Sequence, residues 1–489
     1  MERDVVDLMI AENRPIDALK QMIRHGPPPD PRHAEFITAQ IDACRHLLQS
    51  DDWPRAAGLS AVLAALLPRD RSVIGMALTS HRILEDFPRS RLYAETMLAL
   101  QPDHSEALFV LADDARRRSN AAAEIDYRFK ITADERIDIV LRAVNLYDLI
   151  NLMLCQPVIA PLLDRLRIAQ SRLAGLDADR APDRAATAWI TFYQTMMAAA
   201  DVALLQQGPA QIARPLPDFF SATGAPLRFD EIRSRAARQG AEALFLVAAD
   251  EVYVGRYARL YVRSLLANAD IACLVIVHII GAGARTAKIA AEIGITDQRV
   301  IYSTDAFDAT TVTSVVCDAP TQPLITKPIV HYQSARFQQA GLLLYGLGLP
   351  LFISDIDCLL EQGVKDLIDE HRDTDLVLNE NIVVQQFAAR FTANLLLLYP
   401  TRPAQHFIQR LAGLLDAALT RQVIPKWIDQ IALGMARHAM KLAEPGIKIA
   451  NFDVERDINN CMFTEYRPHH FRFLSLYQNF DLDSLPHQT

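Results

Sequence analysis

The sequence predicts an α/β protein in two parts: an all-α region, then a mostly parallel sheet flanked by helices. Three observations carry that expectation. A short pattern recurs at an offset of 34 residues between residues 33 and 120, the length of a helix-turn-helix repeat. Residues 126 to 207 keep apolar side chains at helical spacing. From Ala243 onward, short wholly apolar runs alternate with amphipathic stretches, as strands buried on both faces alternate with covering helices.

At 489 residues the chain exceeds one ordinary core and implies about two to four domains. Apolar residues make up 51% and mean hydropathy is +0.07, so core material is ample. A net charge of −9 and a pI near 5.8 argue against a general nucleic-acid binder, which carries a basic face. The same balance suits an acidic metal site that receives a phosphorylated ligand. Six cysteines (Cys44, Cys155, Cys273, Cys317, Cys358 and Cys461) form no C-x-x-C pair and read as small buried hydrophobes in a reducing compartment. Met1-Glu2-Arg3-Asp4 is followed by no apolar segment, so no signal peptide is expected. The longest apolar run, Leu274 to Ala284, is too short for a transmembrane helix and contains His278. The expected location is cytoplasmic, with peripheral association at the inner face of a membrane left open.

Residues 1 to about 30 read as an amphipathic helix that ends at Pro27-Pro28-Pro29-Asp30-Pro31. Asp51-Asp52-Trp53-Pro54-Arg55 then recurs as Glu85-Asp86-Phe87-Pro88-Arg89, Leu66-Leu67-Pro68 as Leu100-Gln101-Pro102, and Ala43 as Ala77. The Trp-to-Phe match predicts a packing role, and the matched alanines a close helix approach. The pattern resembles a divergent tetratricopeptide array over residues 33 to 120. Such an array implies either a groove for a peptide or partner protein, or a purely structural cap. Beyond it, Ile137, Val140, Leu141, Val144 and Tyr147 predict a buried helical stripe, and Met153, Met196 and Met197 gap-filling core. Gly208-Pro209, Pro215, Pro217 and Gly224-Ala225-Pro226 mark a connector. The expected domains are thus residues 1–207, a connector at 208–240, and an α/β domain at 241–489.

Within that domain Ala243 to Ala248 predicts a buried strand, Arg256 to Asn268 a helix, Ile271 to Ile280 a second strand, Thr286 to Ile293 a helix, and Val300 to Tyr302 a third strand. This order implies parallel pairing with helices on both faces. Residues 303 to 327 read as a long polar loop, which is usually functional or mobile. Ile329 to Tyr345 predicts a helix, and Leu351 to Ser354 a short buried strand.

Asp355 and Asp357 follow that strand directly. Burying an unpaired carboxylate costs several kcal/mol, so two beside a core strand require a cation or a hydrogen-bond cage. At a strand's carboxyl end, where open α/β sheets bind ligands, the pair can hold a divalent metal through oxygen. The alternative is an Asp-rich turn in which one carboxylate caps the next helix.

Several motifs now stand in order: His331-Tyr332-Gln333-Ser334-Ala335-Arg336-Phe337, then Phe352-Ile353-Ser354-Asp355-Ile356-Asp357, Phe391-Thr392-Ala393-Asn394, Tyr399-Pro400-Thr401 and Asp429-Gln430-Ile431-Ala432-Leu433. Together they resemble a nucleotide-diphospho-sugar transferase, a glycosyltransferase of the GT-A type, over residues 241 to 470. The resemblance implies that Asp357 ligates a manganese or magnesium ion on the donor diphosphate. Asp355 would contact the donor ribose, or the metal through water. Arg336 would position the donor sugar or phosphates, Asp250 and Tyr253 would hold the nucleotide base, and Asp429 and Gln430 would stand near the acceptor. It implies Asp355, Asp357 and Asp429 as the catalytic carboxylates, and an unidentified glycan, lipid or protein as acceptor.

Two departures from the family stand out. Asn394 replaces the glycine after Phe-x-Ala, and the late His-x-x-Gly-x-x-Lys motif is missing, which leaves His470 or its neighbour His469 to complete the metal shell. The chemistry implied is Lewis-acid stabilisation of a departing nucleoside diphosphate at an oxocarbenium-like centre. Asp375, Glu380, Asp429 and Asp453 all stand as general-base candidates, and the stereochemical course stays open. The plainer readings are a helix-surface Asp429, an Arg336 paired with Glu361 or Asp366, and an Asp250 that caps a helix. The functional alternatives are a catalytically inactive transferase-like scaffold that binds through its helical repeats, and a haloacid-dehalogenase-type phosphatase, whose D-x-D follows its first strand.

Overall fold

Asp52 and Asp86 each cap a helix with a side-chain oxygen, accepting from the backbone N–H of Arg55 and Arg89. The helices they open are two copies of one unit, so the offset seen in the sequence is a structural period. The computed structural model describes residues 2–25, 31–206, 216–320, 328–458 and 471–476. It divides into two units, Met1–Leu149 and Ile150–Thr489.

The first unit contains α1 (Glu2–Ala11), α2 (Pro15–His25), α3 (Pro31–Gln49), α4 (Trp53–Leu66), α5 (Arg71–Ile83), α6 (Phe87–Leu100), α7 (Ser105–Arg117) and α8 (Ala121–Ile131). It also holds most of α9 (Ile139–Leu154). The pair α4–α5 repeats as α6–α7. A third copy begins at α8, where Asn120 takes the capping role. Asp51, Glu85 and Ser119, each just before the cap, share a left-handed backbone with φ of 60°, 56° and 54°, so the turn as well as the helix is repeated.

Phe87 packs by a cation–π contact: it is 39% exposed and lies under the Arg117 guanidinium, 3.1 Å from its ring centroid. Two expectations are corrected here. Ala77 is buried but Ala43 is exposed, and Cys44 takes the inward place. In α9 Leu141 is 55% exposed, while Ala143, Leu146 and Tyr147 form the buried face.

The second unit opens with α10 (Leu163–Ala174) and α11 (Arg184–Ala199), so these helices belong with the sheet that follows. Next come β1 (Asp218–Ser221), β2 (Pro226–Leu227), α12 (Phe229–Arg238), β3 (Ala243–Ala249), α13 (Glu251–Asn268), β4 (Cys273–Ile279), α14 (Thr286–Ile293), β5 (Val300–Thr304) and β6 (Val315–Cys317). After these lie α15 (Ile329–Leu347), β7 (Leu351–Ser354), β8 (Cys358–Leu360), α16 (Lys365–Glu370), β9 (Leu376–Glu380), α17 (Phe387–Arg390) and β10 (Phe391–Leu398). The rest are α18 (Arg402–Leu419), β11 (Val423–Pro425), α19 (Ile428–Ala443), β12 (Ile449–Asn451) and β13 (Phe473–Ser475).

Among the described residues the main sheet has nine strands in the order β12-β9-β10-β7-β3-β4-β5-β1-β2. Only β10 and β1 run against the others, so the sheet is mostly parallel, as expected. Every residue of β3 and β4 is buried, the mark of strands covered on both faces. Phe245 and Val247 share a core with Tyr257 and Tyr261 of α13, whereas Ala248, pointing the other way, meets Ala335 of α15.

The winding fixes where a ligand can sit. β3, β4 and β5 add outward in one direction. The chain then returns through α15 and places β7 on the other side of β3, pairing Phe352 with Phe245. The strand order reverses between β3 and β7, and their carboxyl ends diverge there into a crevice. Asp250 follows one of these strands and Asp355 the other. Among the described residues no helix is long and apolar enough to cross a membrane, and Cys44, Cys155, Cys273, Cys317 and Cys358 are buried thiols.

Candidate active site

β7 ends at Ser354, whose hydroxyl bonds the Tyr261 hydroxyl at 2.8 Å. The chain turns at once: the Asp355 N–H donates to the Asn394 carbonyl of β10 (3.1 Å), and the Cys358 N–H to the Asp355 carbonyl (3.1 Å). Ile356 is buried in the core between the two carboxylates and anchors the turn by its side chain. The sequence thus makes a tight Asp-bearing corner at the switch point rather than a helix cap.

Arg336 reaches this corner from α15. Its guanidinium is buried, donates to the Ala393 carbonyl at 3.0 Å, and pairs with both Asp355 and, at 3.5 Å, Asp429. Asp429 lies in the first turn of α19 and is 5% exposed, so it is no surface residue. Asp366 is held instead by Arg472, at 2.8 and 3.0 Å, and is not the partner of Arg336.

Asp357 is 8% exposed. Among the described residues no basic side chain stands within ion-pair distance of it. Burial, with the Asp355 charge added, pushes its carboxyl up to about 7. Burial raises Asp429 to about 6, against the pull of Arg336. Burial also raises the Tyr253 and Tyr257 hydroxyls, and the Asp357 charge adds to both shifts. Among the described residues the buried Tyr257 hydroxyl has no hydrogen-bond partner.

Beside the corner, at the carboxyl ends of β3, β4 and β5, a cleft of about 510 Å³ is lined by Asp250, Gly281, Arg285, Phe307, Asp308 and Tyr332. That volume suits a small ligand. Asp250 caps α13, accepting from the Tyr253 N–H at 2.8 Å, so the plainer reading of this residue holds while it also lines the cleft. Tyr253 is half-buried with its ring 5.5 Å from Tyr257. One wall is fixed by a pair that the sequence did not reveal. His278 bonds Ser303 (3.0 Å) and Asp305 (3.1 Å), and Asp305 accepts from the N–H groups of Gly281 (2.9 Å) and Phe307 (3.2 Å). A histidine inside an otherwise apolar strand was the available signal.

The remaining candidates separate by position. In the amide orientation its neighbours require, the Gln430 nitrogen donates to the carbonyls of Ala388 (2.6 Å) and Phe391 (2.8 Å), which ties α19 to the α17–β10 corner. Asp375 accepts from Thr401 (2.7 Å) and the Lys448 N–H (2.8 Å). It precedes β9 at the end of the strands where Leu376 and Leu351 flank Leu398, the end opposite Asp355. Glu380 is buried between Arg390 (2.7 Å) and Arg437 (3.2 Å). Asp453 occupies an exposed turn. Of the general-base candidates, Asp429 alone stands at the Arg336–Asp355 cluster. Asn394 accepts from the Asn379 amide at 3.0 Å. His469 and His470 lie outside the described residues.

Among the described residues no three His, Cys, Asp or Glu side chains are grouped to enclose a metal. Asp355 and Asp357 offer two carboxylates, one of them buried with no cation beside it among the described residues. That donor set fits a hard divalent ion that keeps water and takes phosphate oxygens as its other ligands.

No family model matches the chain, and no curated protein matches it. Among solved structures it is similar to mouse xyloside xylosyltransferase 1 in its apo form, with a TM-score of 0.29 and 11% identity, over 50% of this chain and 99% of that one. A TM-score of that size does not establish a shared fold.

Proposed function

We propose that the second unit is a metal-dependent glycosyltransferase that moves a sugar from a nucleotide-diphosphate donor to a glycan, lipid or protein acceptor. The observation that carries this reading is the placement of Asp355 and Asp357 at the switch point, beside a cleft of nucleotide size, with Asp357 buried and, among the described residues, without a cation of its own. Asp355 and Asp357 would hold a magnesium or manganese ion, which when bound supplies Lewis-acid stabilisation of the leaving diphosphate.

In this reading Arg336 orients Asp355 and adds fixed positive charge where phosphate charge develops. Tyr253 and Tyr332 offer aromatic faces to the nucleotide. Asp429, raised towards neutrality, is suited to take the proton of an acceptor hydroxyl. The helical first unit recruits the acceptor or a partner protein.

The test is calorimetric titration with uridine and guanosine diphosphates, with and without manganese. One nucleotide should bind, and chelator should abolish the binding. Failure of both to bind well-folded protein would favour a transferase-like scaffold, a reading to which the Arg336 pairs also lend support, since one guanidinium already engages both Asp355 and Asp429.

A further inference from the structure

Asp355 and Asp357 are seated by different parts of the chain. Asp355 hangs from β10 through the Asn394 carbonyl. The Asp357 carbonyl instead accepts from the N–H of Leu476, at 2.9 Å. Leu476 directly follows β13, which runs antiparallel to β8, pairing Ser475 with Cys358 and Phe473 with Leu360.

β13 is also fastened at its start. Arg472 is buried and grips Asp366 with both terminal nitrogens (2.8 and 3.0 Å) and Asp457 with Nε (3.2 Å). The Arg472 N–H donates to the Arg456 carbonyl (3.0 Å), and its carbonyl accepts from the Glu361 N–H (2.8 Å). Asp457 is fully buried and also meets Arg456 at 3.0 Å, so releasing Arg472 leaves a buried carboxylate short of a partner. Between the two ends Phe473 lies 6.0 Å from Phe352 of β7, ring to ring. Phe473, Leu474 and Leu476 share one apolar core with Ile356, the residue between the two carboxylates.

We infer that β13 is a positioning element for the Asp355–Asp357 corner and that Arg472 is its anchoring residue. The strand orders the turn from the side β10 cannot reach, so that both carboxylates are held ready together. The inference rests on the proposed metal site for its functional meaning. The ordering itself is separately measurable.

Two variants at one position isolate the contact. Leu476→Pro removes the N–H that Asp357 uses, while Leu476→Ala keeps it and trims only packing. Amide hydrogen exchange over residues 355–361 should be faster in Leu476→Pro than in Leu476→Ala, with β3 and β4 unchanged. Manganese affinity, read by electron paramagnetic resonance, should fall by about tenfold between them, the upper range for one net hydrogen bond. Equal exchange and equal affinity in the two variants would overturn the inference. Should Leu476→Pro unfold, Asp366→Asn loosens only the outer side of the anchor. It should raise exchange over the same residues by about twofold, and unchanged exchange there would overturn the inference too. A wild-type protein that takes up no manganese would sink the metal-dependent reading, while the exchange comparison would still decide the role of β13.

Discussion

Arg336 on α15 and Asp429 on α19 meet 3.5 Å apart inside the protein, and the same guanidinium holds Asp355 on the corner after β7. One cation thus serves two carboxylates that arrive from distant parts of the chain. Replacing Arg336 by Met should cost on the order of 3–5 kcal/mol, because it strands buried charge. Adding Asp429→Asn should recover part of that loss. Urea unfolding of the single and double variants checks both, and a purely additive pair would mean that the two residues do not interact.

The folded-state carboxyls of Asp357 and Asp429 lie at about 7 and about 6, above the ordinary value near 4 in an unfolded chain. The folded protein therefore binds these protons more tightly. Stability from this source is full below about pH 4 and is lost as pH rises through 6 and 7. In chelator, wild type should lose on the order of 1–4 kcal/mol across that window. Asp357→Asn, which has no charge to bury, should lose less. Thermal unfolding from pH 4 to 8 gives the comparison, and equal slopes for the two proteins would refute it.

Asp357→Ala should remove manganese-dependent nucleotide binding yet leave the chain folded. Among the described residues its side chain makes no ion pair, and it forms no part of the apolar core. Calorimetry reads the first effect and circular dichroism the second. Unaltered nucleotide affinity in this variant would dismiss the site assignment.

Gly281 has φ of +66° and a Cβ there would collide with the Phe307 carbonyl oxygen. Gly281→Ala should therefore push the Phe307 loop into the cleft. The expected effects are a stability loss of about 1–3 kcal/mol and weaker nucleotide binding at unchanged manganese affinity. Loss of manganese binding instead would mean that the Phe307 loop also shapes the carboxylate corner.

The strands were legible where burial on both faces leaves an unbroken apolar run, as in Ala243–Ala249 and Leu351–Ser354. Their order exposed the Asp355–Asp357 corner, because two charges directly after such a run must be neutralised, solvated or ligated. Asp429 was harder to see. A carboxylate in the first turn of an amphipathic helix looks solvated until its partner is known, and Arg336 lies far away in sequence. The third helical copy was hidden because Asn120 caps without the Asp-aromatic-Pro signature. β8 and β13 are three residues each, too short for alternation to declare them. The pairing of His278 with Asp305 joins two strand ends that only the parallel register of β4 and β5 brings together.

The hydrogen bond from Leu476 to Asp357 also sets an order of events during synthesis. The parallel strands β3, β4, β5 and β7 are all translated before the corner is complete, whereas β13 follows more than a hundred residues later. At ribosomal speeds that gap is roughly ten seconds. A nascent chain can therefore build the centre of its sheet while the acidic corner still lacks its last neighbour, and a ribosome stalled before Arg472 would release a protein with a formed sheet and an unfinished corner.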